Sequence, residues 1–122
     1  MTTIRKKLQV VVETPEFIKQ AKLCMDEALR EKFISYIAEN PLKGSLVVGT
    51  GGARKIRWAS DSNTGKSGGA RVIYYYHNQN IPIFLFTAFG KSQKANITQS
   101  ERNLLKTIIH KIVEAYEEKN HE

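Results

Sequence analysis

Hydrophobic spacing divides the chain into three regions. Phe17, Ile18 and Ala21, then Met25, Ala28, Leu29, Phe33, Tyr36 and Ile37, recur at helical intervals. Thr14-Pro15-Glu16 starts this region well: a hydroxyl to cap the helix, proline at its first position, and an acid in its first turn. Asp26 can cap a second helix, which predicts a helical hairpin, and Asn40-Pro41 ends it because a residue before proline is pushed out of the α basin. After Gly44 the period falls to two. Three stretches, Arg54 to Ala59, Gly69 to His77 and Ile81 to Phe89, are rich in β-branched and aromatic residues and read as strands. The last two are joined by a tight turn at His77-Asn78-Gln79-Asn80. Ile4 to Thr14, with Val10-Val11-Val12, reads as a first strand. Thr98-Gln99-Ser100-Glu101 is a capping box, and Leu104, Leu105, Ile108, Ile109, Ile112, Val113 and Tyr116 form one stripe behind it.

The order β, α, α, β, β, β, α predicts an α+β domain: an N-terminal strand, a helical hairpin, an antiparallel sheet and a C-terminal helix, with the helices on one face of the sheet. With 122 residues and no linker or repeat, residues 1–122 are expected to form a single domain. No apolar run is long enough to span a membrane, and no signal-peptide pattern opens the chain. A single cysteine, Cys24 in AKLCMDEAL, fits a buried small side chain in a reducing cytoplasm.

Charge changes this picture once it is located. The net charge is +7, and eight basic residues with one acid between Pro41 and Ile97 account for all of it. The flanking segments hold eleven of each sign and sum to zero. An excess confined to one contiguous segment is the footprint of a surface that binds a polyanion.

Two glycine-rich stretches within that segment imitate phosphate loops. GTGGARK has no Gly-Lys-Ser/Thr in frame and leads into a strand; SDSNTGKS has Ser60 where the motif needs glycine and also precedes a strand. Neither supplies a helix N-terminus for phosphates, so a nucleotide loop is excluded and the glycines are assigned to turns and close backbone approach. The strand that follows is more informative. Alternation sends Arg54, Ile56 and Trp58 one way and Lys55 and Arg57 the other. Ile56 and Trp58 belong against the helices, which leaves Lys55 and Arg57 on the opposite face. In the next strand Arg71 shares a face with Ile73 and Tyr75. Antiparallel pairing would gather Arg71, Lys55 and Arg57, an arrangement whose repulsion calls for an anionic partner. Lys91 and Lys94 follow the last strand and are placed to close the same site from its edge.

The runs NPLKGSLVVGTGGARKIRWAS and GKSGGARVIYYY resemble the RelE-like toxins of bacterial toxin–antitoxin modules, in particular the HigB-like branch of the RelE/ParE superfamily. The element order agrees along nearly the whole chain. The resemblance implies a ribosome-dependent endoribonuclease, an mRNA interferase that inhibits translation and is silenced by a cognate antitoxin. It implies catalytic roles for Lys55, Arg57, Arg71 and Lys91; Arg54, Lys66, Tyr75 and Lys94 are expected as further RNA contacts. Family members carry an arginine where this chain has Ser92, and a tyrosine on the segment where Ala95 to Thr98 has none. Lys94 is the expected replacement for that charge and Tyr75 a candidate for the stacking role.

Such a reaction uses the substrate's own 2′-hydroxyl, so it is expected to need no metal or other cofactor if cations stabilise the phosphorane. Arginines suit that task, and a lysine crowded by cations is a candidate general base, because like charges favour its neutral form. Two other readings share the fold: a ParE-like inhibitor of DNA gyrase, and a nucleic-acid-binding module without chemistry. The combination of Lys55, Arg57 and Arg71 favours the nuclease, because a gyrase binder has no need of a phosphate-cleaving cluster.

Overall fold

The computed structural model describes residues 9–59 and 69–120. Eight elements follow one another: β1 (Val11–Glu13), α1 (Pro15–Cys24), α2 (Glu27–Glu39), β2 (Ser45–Leu46), β3 (Arg54–Trp58), β4 (Ala70–Tyr75), β5 (Ile83–Gly90) and α3 (Gln99–Asn120). They build a five-stranded mixed sheet in the order β1-β5-β4-β3-β2. Neighbours from β2 to β5 are antiparallel, while β1 runs parallel to β5. The α+β class and the helical hairpin agree with the sequence reading. The short edge strand β2 was not foreseen, and part of the expected first strand falls outside the described residues.

Local chemistry sets the helix ends. Thr14 Oγ1 accepts the Phe17 amide at 3.2 Å and also donates to Leu85 O at 2.8 Å, so one hydroxyl starts α1 and ties it to β5. Asp26 caps α2 by accepting the Leu29 amide at 2.8 Å. At α3 the capping box closes in both directions: Glu101 N–H donates to Thr98 Oγ1 at 3.1 Å, and Thr98 N–H to Glu101 Oε1 at 2.8 Å. No helix among the described residues is long and apolar enough to cross a membrane.

The helices do not share one face. Phe17, Ala21, Phe33 and Ile37 of the hairpin pack on Val72, Tyr74, Ile83 and Leu85, with Ile56 and Trp58 at the margin. We call this side face A. On face B, Ile73, Tyr75, Phe86 and Phe89 pack under Leu105 and Ile109 of α3. The expectation of a sheet covered on one face is therefore corrected. Apart from Arg71, both sets of side chains on β4 are apolar, so each face needs its own cover. A bulge makes the second face possible: Ile73 pairs with Thr87 but Tyr74 with Leu85, leaving Phe86 as an extra residue whose ring joins the face B core.

Face A also anchors the segment before β2. The Tyr74 hydroxyl donates to Pro41 O at 2.8 Å and accepts the Gly44 amide at 2.9 Å. A Cβ at Gly44 would lie 2.7 Å from that hydroxyl and 2.8 Å from the ring. Gly44→Ala is accordingly expected to break the bond and push the ring from its buried seat, costing about 2 kcal/mol by the usual scale for overpacking. Urea unfolding measures this; a midpoint equal to wild type would refute it.

Candidate nucleic-acid interface

Alternation along β3 holds. Ile56 and Trp58 join the face A core, and Trp58 Nε1 donates to Leu29 O at 2.9 Å while its ring meets Phe33 edge-on. Lys55 and Arg57 take the other side. Lys55 is in register with Ile73, a face B core residue, and Arg57 stands directly opposite Arg71. Directly opposed residues hold their Cβ atoms about 5 Å apart, a pairing that destabilises a sheet when both carry the same charge. Arg57 is exposed and Arg71 half-buried, with Arg71 Nη1 donating to Gly69 O at 3.1 Å. Among the described residues no carboxylate lies within 4 Å of Lys55, Arg57 or Arg71. Three cations are thus gathered on one surface beside the segment that leads into α3, without a counter-charge among the described residues.

The segment after β5 frames this cluster. It turns at Gly90, whose amide donates to Gln93 Oε1 at 2.6 Å, and then crosses face B. Lys94 Nζ sits 5.1 Å from the centroid of Phe89, the residue paired with Arg71 on the β5 side, and bonds Glu101 Oε2 at 2.7 Å. Burial alone would raise the Glu101 carboxyl. Hydrogen bonds from the Lys94 ammonium and the Thr98 amide outweigh it and hold the pKa below the ordinary carboxylate value. That latch is in place at neutral pH and is lost as acidification passes the depressed pKa. Further along, Asn96 Oδ1 accepts from Lys55 Nζ at 3.4 Å and from the Ile97 amide at 2.9 Å. Asn96 and Phe89 escaped the sequence reading. Asn96 lies just ahead of a capping box, where polar residues are ordinary, and nothing local marks its reach to β3.

The remaining expected residues are placed differently from one another. Lys91 is exposed one residue past β5 and lines a cleft of about 750 Å³ with Lys22, Asp26 and Gln93, beside the α1–α2 turn. Arg54 is turned to face A, where its guanidinium donates to Gly44 O at 2.7 Å and Leu42 O at 3.4 Å; it holds backbone carbonyls. Tyr75 corrects an expectation. Its side chain is 5% exposed beneath α3, and its hydroxyl bonds His77 Nδ1 at 2.8 Å, so its ring is not available to stack on a base. Burial, reinforced by Glu117, raises the Tyr75 pKa and keeps the phenol neutral at physiological pH. Lys66 lies outside the described residues. The Cys24 thiol donates to Gln20 O, and burial pushes its pKa up to about 11, so it remains a thiol.

The glycines ahead of β3 serve the backbone. Gly49, Gly51 and Gly52 have φ of 83°, 78° and 123°, conformations costly for any side chain, and a Cβ at Gly52 would come 3.1 Å from the Tyr75 ring. They turn the chain tightly beneath α3, as the failed phosphate-loop frame required.

A mixed five-stranded sheet with a helical hairpin on one face and a C-terminal helix on the other thus carries a basic cluster with no carboxylate within 4 Å among the described residues. Residues 11–122 match the family described as the RelE toxin of the RelE/RelB toxin–antitoxin system. The chain belongs to that family. Among solved structures it is similar to E. coli toxin RelE, a double arginine-to-alanine mutant in the free state, with a TM-score of 0.52 at 15% identity. The match covers 72% of this chain and 88% of that one, and it bears on the fold alone.

Proposed function

We propose that this toxin is an mRNA interferase, a ribosome-dependent endoribonuclease held in check by a cognate antitoxin and acting in the cytoplasm, where ribosomes and mRNA meet. The GTGGARKIR run supports placing it in the HigB-like branch. One observation carries the reading: Arg57 and Arg71 face each other across β3 and β4, with Lys55 on the same surface and, among the described residues, no carboxylate within 4 Å of the three. A pair of opposed arginines is unfavourable in the free protein and becomes favourable when a phosphate lies between them.

The 2′-hydroxyl of the nucleotide before the scissile bond attacks the adjacent phosphorus. The O2′–P bond forms, the P–O5′ bond breaks, and the products are a 2′,3′-cyclic phosphate and a 5′-hydroxyl. Arg57 and Arg71 offer bidentate donors to the non-bridging oxygens as charge accumulates there. Lys55, positioned by Asn96, is the candidate to take the 2′ proton, and Lys91 or Lys94 to supply one to the departing O5′. Because these cations provide the charge stabilisation, the reaction is proposed to proceed without a metal. An anionic stretch of the antitoxin would neutralise the same surface.

Brief induction followed by primer extension on a translated mRNA tests the proposal. New ends within codons, absent from an untranslated copy of the same message, are the expected result. Intact mRNA with DNA damage would replace the reading by gyrase inhibition, and intact mRNA and DNA together by binding without chemistry.

A further inference from the structure

α3 divides face B into two troughs, one apolar and one edged by cations. Towards β5, Leu104, Ile108 and Ile112 of the helix line an apolar groove of about 720 Å³ with Phe84 and Phe86. Towards the loop between β2 and β3, the helix instead presents Arg102 and Lys106, one turn and so about 6 Å apart. Arg102 Nη1 donates to Val48 O at 3.2 Å, and Lys106 lies against Gly51, whose Cβ would be 3.5 Å from Lys106 Cγ. Past them a groove of about 500 Å³ is lined by Gly51, Tyr75, Lys106, His110 and Lys111. Among the described residues, no carboxylate pairs with Arg102, Lys106 or Lys111. The first acid to engage this flank, Glu114, bonds His110 at 3.0 Å near the groove's far end.

This flank is continuous with the cation cluster. Lys55 bonds Asn96, Asn96 leads into the Thr98 cap, and the Arg102 amide donates to Thr98 O at 3.0 Å. We propose that Arg102 and Lys106, with the groove beyond them, form a second phosphate-binding track that carries the single-stranded RNA backbone away from the cleavage cluster. The proposal rests on the reading of that cluster as an RNA-cleaving site. RNA is favoured over an acidic protein segment because cations edge this groove. Although Tyr75, Ile109 and Val113 also line it, the larger apolar groove in which such a segment would seat, with Leu104, Ile108 and Ile112, lies on the opposite flank of the same helix. A spacing of one helical turn between cations also suits successive phosphates of an extended strand.

The test uses 2′-O-methyl oligouridylates, which cannot be cleaved, as a fluorescent 4-mer and 15-mer read by anisotropy. Wild type is expected to bind the 15-mer more tightly than the 4-mer. Arg102→Ala/Lys106→Ala should weaken 15-mer binding about tenfold and reduce its salt slope by about 1.4, two single-strand contacts' worth, with the 4-mer unchanged. Lys106→Glu, at a fully surface position, carries the same test should loss of the Arg102–Val48 bond lower stability. Variants that bind the 15-mer as wild type does would overturn the track and leave the flank to an acidic protein segment. Equal losses on both oligomers, or a wild type with no preference for the longer one, would overturn it too. The cleavage reading fails separately, if Arg57→Ala/Arg71→Ala still cuts translated mRNA at the wild-type rate.

Discussion

Arg71→Ala is expected to slow cleavage of translated mRNA by a hundredfold or more while leaving the fold intact. The magnitude follows from removing one preorganised donor aimed at developing phosphorane charge, a loss of about 3 kcal/mol. Arg71→Lys should recover only part of it, since an ammonium keeps the charge but not the paired donors. The stability side separates this from a structural role. Arg71 faces Arg57 in register, so truncation relieves a like-charge pair worth a few tenths of a kcal/mol and forfeits one bond to Gly69 O. The two nearly cancel, and the thermal midpoint should stay close to wild type. Single-turnover cleavage on programmed ribosomes, with calorimetry on the same preparations, reads both. A variant as fast as wild type would remove Arg71 from the site; a variant that loses stability in step with activity would make it structural.

Much of this cluster was legible because strand alternation is a local property. Lys55 and Arg57 had to oppose Ile56 and Trp58 whatever the sheet's topology. Thr14, Asp26 and the Thr98–Glu101 box were legible for the same reason: a cap is decided within four residues. What the residues alone did not yield is non-local. The parallel pairing of β1 with β5 depends on where α1 and α2 return the chain, and the two-residue β2 is held by a tyrosine thirty positions away from Gly44. The side on which α3 lies was in fact signalled, though only by a pattern spanning several strands. Val72-Ile73-Tyr74-Tyr75 and Ile83 to Phe86 are apolar on both faces, and a sheet with one open face would alternate instead. That pattern also foretells the burial of Tyr75, which a reading of faces one strand at a time had left available to RNA.

Phe33→Ala should have the largest effect on stability, and its consequences for the site should differ in kind from those of Arg71→Ala. Phe33 is fully buried in the face A core and meets Trp58 edge-to-face with centroids 5.3 Å apart. Deleting its ring forfeits the transfer energy and leaves a cavity against Trp58, a loss of about 3 to 5 kcal/mol. A domain of this size has about 5 to 15 kcal/mol to lose, so the variant stays folded in the cold and unfolds near growth temperature. The midpoint should fall by about 4 °C per kcal/mol, roughly 12 to 20 °C in total. Trp58 ends the strand that carries Lys55 and Arg57, so the cation cluster disperses when this core melts and persists while it holds. Cleavage by Phe33→Ala is therefore expected near the wild-type rate at 15 °C and to collapse on warming, whereas Arg71→Ala is slow at both temperatures. A midpoint within 2 °C of wild type would show that face A closes over the gap, and would end the claim that this packing supports the working strand.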